Sequence, residues 1–251
     1  MNFITDHEFE ERFEYAEGSG LYSNPEFKFL IDDRERCFYL PKNFSHNVLT
    51  DFNVDWFMHR NISFRRALDV GAGIGDDAAS LSKISDVIES WEVGDLAFRC
   101  LSANLEIAAG TYAKNTLSNK YQCAITNSND YSIEVAEYVD APNNNGVAHI
   151  GNLTGDREYL LEQPDNYVLV KQKTLDSYNF QDVDFIKVDV NGFELQVLEG
   201  AIETIKSNNP YIYVNLDEAK MSVYNTTPNQ VNELLLSLGY KEITDKIYSS
   251  K

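Results

Sequence analysis

Cysteine is scarce in this chain of 251 residues: there are three, Cys37, Cys100 and Cys123. They stand far apart and share no metal-ligand spacing. A disulfide framework and a zinc-finger pattern are therefore excluded, and reduced core thiols of a cytoplasmic protein are expected. Basic residues are also few, with 21 lysines and arginines against 40 acids and a net charge of −19. Such a chain has little from which to build the basic face of a nucleic-acid enzyme, and anionic membranes would repel it. A neutral or cationic partner fits that charge best. No apolar run reaches the ~20 residues that span a bilayer. The opening Met1-Asn2-Phe3-Ile4-Thr5-Asp6 lacks the basic and apolar regions of a signal peptide. No linker, repeat or low-complexity tract interrupts the chain. One domain over residues 1–251 is expected, with 1–60 as an N-terminal cover and 61–251 as the core. The acids Glu8, Glu10, Glu11, Glu14 and Glu17 read as a solvated helix face.

What is present is a glycine pattern. In Leu68-Asp69-Val70-Gly71-Ala72-Gly73-Ile74-Gly75 an apolar lead-in ends in an acid, and three glycines follow at alternate positions. Glycines let a strand turn sharply into a helix and let bare backbone approach a ligand. Asp69, at the strand end, is placed to accept a hydrogen bond from a ligand amine. A nicotinamide fingerprint would need its third glycine at position 76. That position holds Asp76, followed by Asp77, where two acids would repel a pyrophosphate. The same acids suit the first turn of a helix and tolerate a cationic ligand. A second strand, from Asp86, ends in Glu92, whose carboxylate is placed to hold two ribose hydroxyls. Val93, just after it, is positioned to pack on an adenine, and Trp91 is read as core.

The rest of the chain alternates strands and helices. A helix is expected over 6–17, a hairpin over 25–40 around Asp32-Asp33, and a helix over 48–60. The core then has strands near 67–70, 86–92, 121–125, 183–189 and 211–216. Helices are expected over 76–84, 95–109, 192–206 and 228–238, the last capped by Gly239. Tyr240–Tyr248 is read as a single final strand. The long segment 126–182 carries alternating apolar residues and a turn at Pro142–Gly146, which reads as an antiparallel insertion. The predicted class is α/β: a Rossmann-like, parallel-rich sheet with an antiparallel last strand and helices on both faces.

A second constellation sits in Asp184–Glu194. Ligands of open α/β sheets lie beyond the carboxyl ends of the strands, where Asp189 falls level with Asp69 and Glu92. At 100° per residue, Glu194 lies within the apolar stripe of Val197, Leu198, Ala201, Ile202 and Ile205. A buried carboxylate needs compensation. Two readings stand: Glu194 binds the amides and dipole of its own helix N-terminus, or it shares a substrate or proton-handling role with Asp189. Lys187 is placed on the opposite face of its strand, with its ammonium reaching water.

Residues 60–240 resemble the FkbM-type methyltransferases, a branch of the class I S-adenosylmethionine fold. The resemblance rests on Leu68–Gly75, Glu92, the helix with Leu101 and Asn104, Ala124, the Asn145-Gly146 turn and Lys173-Thr174-Leu175-Asp176. It rests above all on Phe185–Gly200 with its Lys-x-Asp-x-x-Gly-x-Glu-x-x-x-Leu-x-Gly frame. It implies S-adenosylmethionine as cofactor, held by Asp69, Gly71, Ala72, Gly73, Gly75, Glu92, Val93 and Ala124. It also implies O-methylation of a sugar or other small-molecule hydroxyl. Asp189, Glu194 and His149 are the candidates to accept the hydroxyl proton, and no metal ligands are expected. The sequence departs from the family where Val93-Gly94-Asp95 follows the ribose acid in place of a proline, and where Asn191 and Asn215 replace usual glutamates. Two rivals remain: an aminopropyl transfer enzyme acting on a cationic amine, and a non-catalytic module that binds the cofactor.

Overall fold

The computed structural model describes residues 2–4, 27–31, 37–41, 52, 54–113, 115–130, 132–137, 148–150 and 166–251. The helix expected over 6–17 and the turn at 142–146 lie outside the described residues. Strands β1 (Asn2–Ile4), β2 (Phe27–Ile31) and β3 (Cys37–Pro41) form a small antiparallel sheet, with Ile31 opposite Cys37 across the expected hairpin. After it, α1 (Asp55–Met58) is one turn long, shorter than the pattern over 48–60 predicts.

The chain then alternates: β4 (Phe64–Val70), α2 (Asp76–Leu81), β5 (Ser85–Glu92), α3 (Asp95–Thr111) and β6 (Leu117–Ile125). The insertion contributes β7 (Ile133–Glu137), β8 (Ala148–Ile150) and β9 (Asn166–Lys173). A 3-10 turn at Leu175–Tyr178 leads to β10 (Val183–Val188), α4 (Glu194–Glu199) and α5 (Ile202–Asn208). The chain closes with β11 (Tyr211–Val214), α6 (Glu218–Ser222), α7 (Pro228–Ser237), β12 (Lys241–Thr244) and β13 (Ile247–Ser249).

Ten strands make one sheet in the order β12-β13-β11-β10-β4-β5-β6-β9-β7-β8. The six from β11 to β9 run parallel, and β13, β12, β7 and β8 are antiparallel additions at the two ends. The parallel-rich class with antiparallel ends is the one the sequence predicts. Helices cover both faces. On one, Val197, Leu198, Ala201, Ile205, Val231 and Leu235 pack on Leu68, Val70, Ile186 and Val188. On the other, Phe57, Ala78, Leu81, Leu101 and Leu105 pack on Ala67, Ile88 and Phe185. Each buried Val, Leu, Ile or Phe among them contributes about 1.5–3 kcal/mol. The small sheet docks through Phe38 and Leu40, which meet Ile74, Ala79, Cys100 and Ala108.

Three further expectations change. Within the insertion expected to be antiparallel, β9 pairs parallel with β6 and antiparallel only with β7. The helix over 192–206 is broken between α4 and α5. Gly200 lies so close to Thr126 that a Cβ there would stand 2.0 Å from the Thr126 carbonyl oxygen. The Asp176 carboxylate then accepts from the amides of Glu203 (3.1 Å) and Thr204 (2.7 Å), capping α5 as a fresh helix. The single strand over 240–248 is instead the hairpin β12–β13, turning at Asp245 and Lys246, the latter at φ +58°. By contrast α7 starts where Thr227 and Gln230 form a reciprocal cap around Pro228, and Gly239 (φ +86°) follows its end as expected.

Candidate cofactor and acceptor site

The glycine loop leaves β4 at the carboxyl edge of the sheet. Its first amides are drawn to the neighbouring strand: Gly71 and Ala72 both donate to the Trp91 carbonyl, at 3.0 and 2.9 Å. Gly71 is required twice over. Its φ is +78°, and a Cβ would stand 1.9 Å from the Asp189 carbonyl oxygen. Gly75 (φ +89°) begins α2 against Leu101, whose Cα a Cβ would meet at 3.1 Å. Gly73 differs: at φ +54° it faces open space, with nothing within 4 Å of a Cβ. The loop is thus packed at both ends and open at its centre.

Glu92 ends β5 beside that opening. Its Oε2 accepts from the Gly73 amide at 2.8 Å, and its Oε1 accepts from the amides of Val93 and Gly94 at 2.9 and 2.8 Å. Burial raises its carboxyl above the usual carboxylate range, and the three amides pull it partly back. Val93 packs with Ala124 and Val170, so the two apolar candidates from β5 and β6 meet on one small surface.

Beneath the loop lies the group that sequence reasoning misplaced. Lys187 does not reach water; it is 2 % exposed. Its ammonium lies 3.0 Å from Asp69 Oδ1 and 3.1 Å from Asp77 Oδ2, and it donates to the Gly71 carbonyl at 3.2 Å. Burial opposes the charged amine, but Asp69, Asp77 and Asp189 outweigh it and hold its pKa well above the ordinary value. Burial also lifts Asp69 to about 6, Lys187 resists, and the neighbouring Asp77 and Asp189 add to the rise. The signal is in the sequence: Ala67-Leu68-Asp69-Val70 closes β4 and Phe185-Ile186-Lys187-Val188 closes β10, each an apolar run with one charge, of opposite sign, and the register sets Lys187 opposite Asp69.

Asp189 continues the edge. Its amide donates to the Val70 carbonyl at 3.0 Å, which sets it against the glycine loop. Glu194 is buried, and its Oε1 accepts from the amides of Val190 (3.1 Å) and Gly192 (3.0 Å). It thereby closes the turn that carries Asp189 and Asn191. Its Oε2 has no hydrogen-bond partner among the described residues. Burial raises the Glu194 carboxyl, against the pull of those amides. His149 lies in β8 opposite Ala136. Four strands lie between β8 and β4 in the sheet order, and the side chain is outside the described residues. Among the described residues no group of three or more His, Cys, Asp or Glu is arranged to hold a metal ion, and no helix is long and apolar enough to cross a membrane.

The sequence profile of the methyltransferase FkbM domain matches residues 69–242, well over half of the chain. The chain belongs to the FkbM methyltransferase family. No curated protein matches it. Among solved structures it is similar to a methyltransferase FkbM from Methylobacillus flagellatus KT, with 18% identity and a TM-score of 0.47 over 74% of this chain and 43% of that one. The present chain therefore spans less than half the length of that protein. It is also similar to M. jannaschii TYW2 in complex with AdoMet (12% identity, TM-score 0.44, 93% of this chain and 87% of that one). A third is Trm5b from Pyrococcus abyssi (14% identity, TM-score 0.45, 90% and 55%).

The cofactor of an FkbM methyltransferase is S-adenosylmethionine, and the residues present fit it. Asp69 Oδ2 is fully buried and has no partner among the described residues, an acceptor left bare beside the loop. Gly73 faces open space where any side chain would intrude. Glu92 ends the adjacent strand and Val93 offers an apolar surface next to it.

Proposed function

We propose that this chain is an S-adenosylmethionine-dependent O-methyltransferase acting on a hydroxyl of a sugar or other small molecule. The observation that carries the reading is the join between the two halves of the site. Asp189 is bonded through its backbone to the strand that ends in the glycine loop, so cofactor and acceptor edges meet at one point. Bound S-adenosylmethionine supplies a methyl group on a cationic sulfur. Asp69 offers its bare Oδ2 to the ligand ammonium. Glu92 holds the ribose, and Val93 with Ala124 the adenine side. Gly71, Ala72, Gly73 and Gly75 shape the loop.

At the acceptor edge, Asp189 would take the proton of the acceptor hydroxyl as that oxygen received the methyl group the cofactor would supply, leaving S-adenosylhomocysteine. An in-line displacement of this kind needs alignment and partial proton removal above all. Glu194 fixes the Asp189 turn through Val190 and Gly192, and His149 is a second candidate base. The −19 charge supports a small acceptor over a nucleic acid. The three cysteines are all buried, which suits a cytoplasmic enzyme. Residues 61–251 would form its core and 1–60 its cover.

The test is calorimetry on the purified protein with S-adenosylhomocysteine and with nicotinamide dinucleotides, followed by release of S-adenosylhomocysteine across a panel of hydroxylated acceptors. Binding of the dinucleotides with no response to S-adenosylhomocysteine sinks the reading. Cofactor binding with no turnover on any acceptor favours the non-catalytic rival.

A further inference from the structure

The carboxyl edge of the sheet divides into two parts. The glycine loop after β4 and Glu92 after β5 occupy one. The other, over β10 and β11, starts at Asp189 and continues through Asn191 and Asn215. The Asn215 amide donates to the Val188 carbonyl at 3.0 Å, so β11 leaves the sheet beside the residue that precedes Asp189. A molecule that receives a methyl from the first part has to lie over the second.

Two lysines reach this edge from different elements. Lys220 in α6 donates to Asn191 Oδ1 at 2.8 Å, and Lys246 in the β12–β13 turn donates to Asn215 Oδ1 at 2.9 Å. Both are half-buried. Neither ammonium meets a carboxylate within ion-pair distance among the described residues. That is unexpected in a chain with 40 acids and 21 bases, where a lysine has carboxylates to choose from. Of the acids nearby in sequence, Glu218 and Asp245 form no ion pair with either lysine, and Asp217 and Glu242 are engaged with backbone. Asp217 Oδ1 accepts from the amides of Ala219 and Lys220, and Glu242 Oε1 accepts from the amide of Lys246. An amide oxygen orients an ammonium without neutralising it. Each lysine therefore keeps its full charge and two further donors.

We propose that Lys220 and Lys246 form an anion-recognising subsite, and that the methyl acceptor is a hydroxyl compound bearing a carboxylate or a phosphate. This rests on the methyltransferase reading for its purpose, but not for the binding it predicts. The two cations also offset Asp189, whose carboxylate would otherwise repel an anionic acceptor. Locally the site thus selects the opposite of what the net charge of the chain suggests, because screening confines each charge's influence to roughly 8–10 Å.

The test titrates inorganic phosphate, D-glucuronate and D-glucose at fixed ionic strength into protein saturated with S-adenosylhomocysteine. The side-chain amide resonances of Asn191 and Asn215 are followed by NMR. Saturable shifts with phosphate or with glucuronate, and none with glucose, are expected; which anion responds names the class of acceptor. In the Lys220→Gln/Lys246→Gln double variant the apparent affinity should fall about tenfold or more, since hydrogen bonds to charged groups are lost. Each single variant is run beside it, so that a folding defect in the double does not decide the matter. No saturable shift with either anion, or an affinity unchanged in all three variants, overturns the proposal. Cofactor affinity from calorimetry is a separate readout: its absence would sink the methyltransferase reading while leaving the anion site to stand or fall on its own titration.

Discussion

Lys187 and Asp69 face each other in register across β10 and β4, with Nζ 3.0 Å from Oδ1, at the centre of the parallel sheet. An ion pair there is costly to desolvate. What it does is local: the ammonium holds the Gly71 carbonyl and one oxygen of Asp69, and the other Asp69 oxygen is buried with no hydrogen-bond partner among the described residues.

Lys187→Met should destabilise the protein by about 3–5 kcal/mol, because it removes the ammonium that the buried carboxylates of Asp69 and Asp77 both face. Adding Asp69→Asn should recover part of that loss. Denaturant unfolding measures both. A methionine variant as stable as the parent would show that the ion pair is not what balances these acids.

Cofactor affinity should depend on pH through Asp69, whose carboxyl is raised to about 6. Its ionised form is the one that takes an ammonium, so affinity is full above that pH and falls as pH drops through it. S-adenosylhomocysteine calorimetry between pH 5 and 8 should show the loss on the acid side, and Asp69→Asn should flatten the profile at lower affinity. A parent profile level across this range removes Asp69 from the site.

The loop glycines should separate. Gly71→Ala should not fold, since a Cβ stands 1.9 Å from backbone oxygen. Gly73→Ala meets nothing within 4 Å and carries only the conformational cost of its φ of +54°, about 1–2 kcal/mol. It should fold and lose cofactor binding, because the new methyl projects into the open centre of the loop. Full cofactor affinity in Gly73→Ala would place the ligand elsewhere.

Glu92→Ala removes the acceptor for three backbone amides as well as the proposed ribose ligand. Loss of an order of magnitude or more in cofactor affinity is expected, at about 1.5–3 kcal/mol per hydrogen bond to a charged group. Unchanged affinity would mean that the ribose is held by other groups.

Asp189→Asn should cut kcat by roughly 10²–10⁴ while leaving cofactor affinity nearly intact, the range of a lost general base. Glu194→Gln keeps an oxygen for the amides of Val190 and Gly192 and should change kcat little. A kcat loss in Glu194→Gln as large as in Asp189→Asn would move the proton-handling role to Glu194.

The parallel core was legible because its signals are local: Gly71, Gly73 and Gly75 punctuate a strand-to-helix turn, and Val197, Leu198, Ala201 and Ile205 keep helical period. What escaped depends on distant partners. The break at Gly200 comes from Thr126 and from Asp176 reaching across to cap α5, and no window around residue 200 contains either. Lys187 was misplaced for a related reason. Strand alternation gives a face but not a partner, and the partner here is 118 residues away in the sequence. Asn191 and Asn215 stood out as departures from the family, yet the two lysines that explain them lie on separate elements.

The chain has two tryptophans, Trp56 and Trp91. Trp91 takes both leading amides of the glycine loop on its carbonyl, stacks on Tyr121 at 5.2 Å and donates its indole N–H to the Tyr178 hydroxyl at 3.0 Å. Glu92 is the next residue. With Trp56→Phe, the protein keeps a single tryptophan whose residue is hydrogen-bonded to the loop proposed to hold the cofactor. Occupancy can then be followed by intrinsic emission in a stopped-flow instrument, without a label and before any acceptor is known.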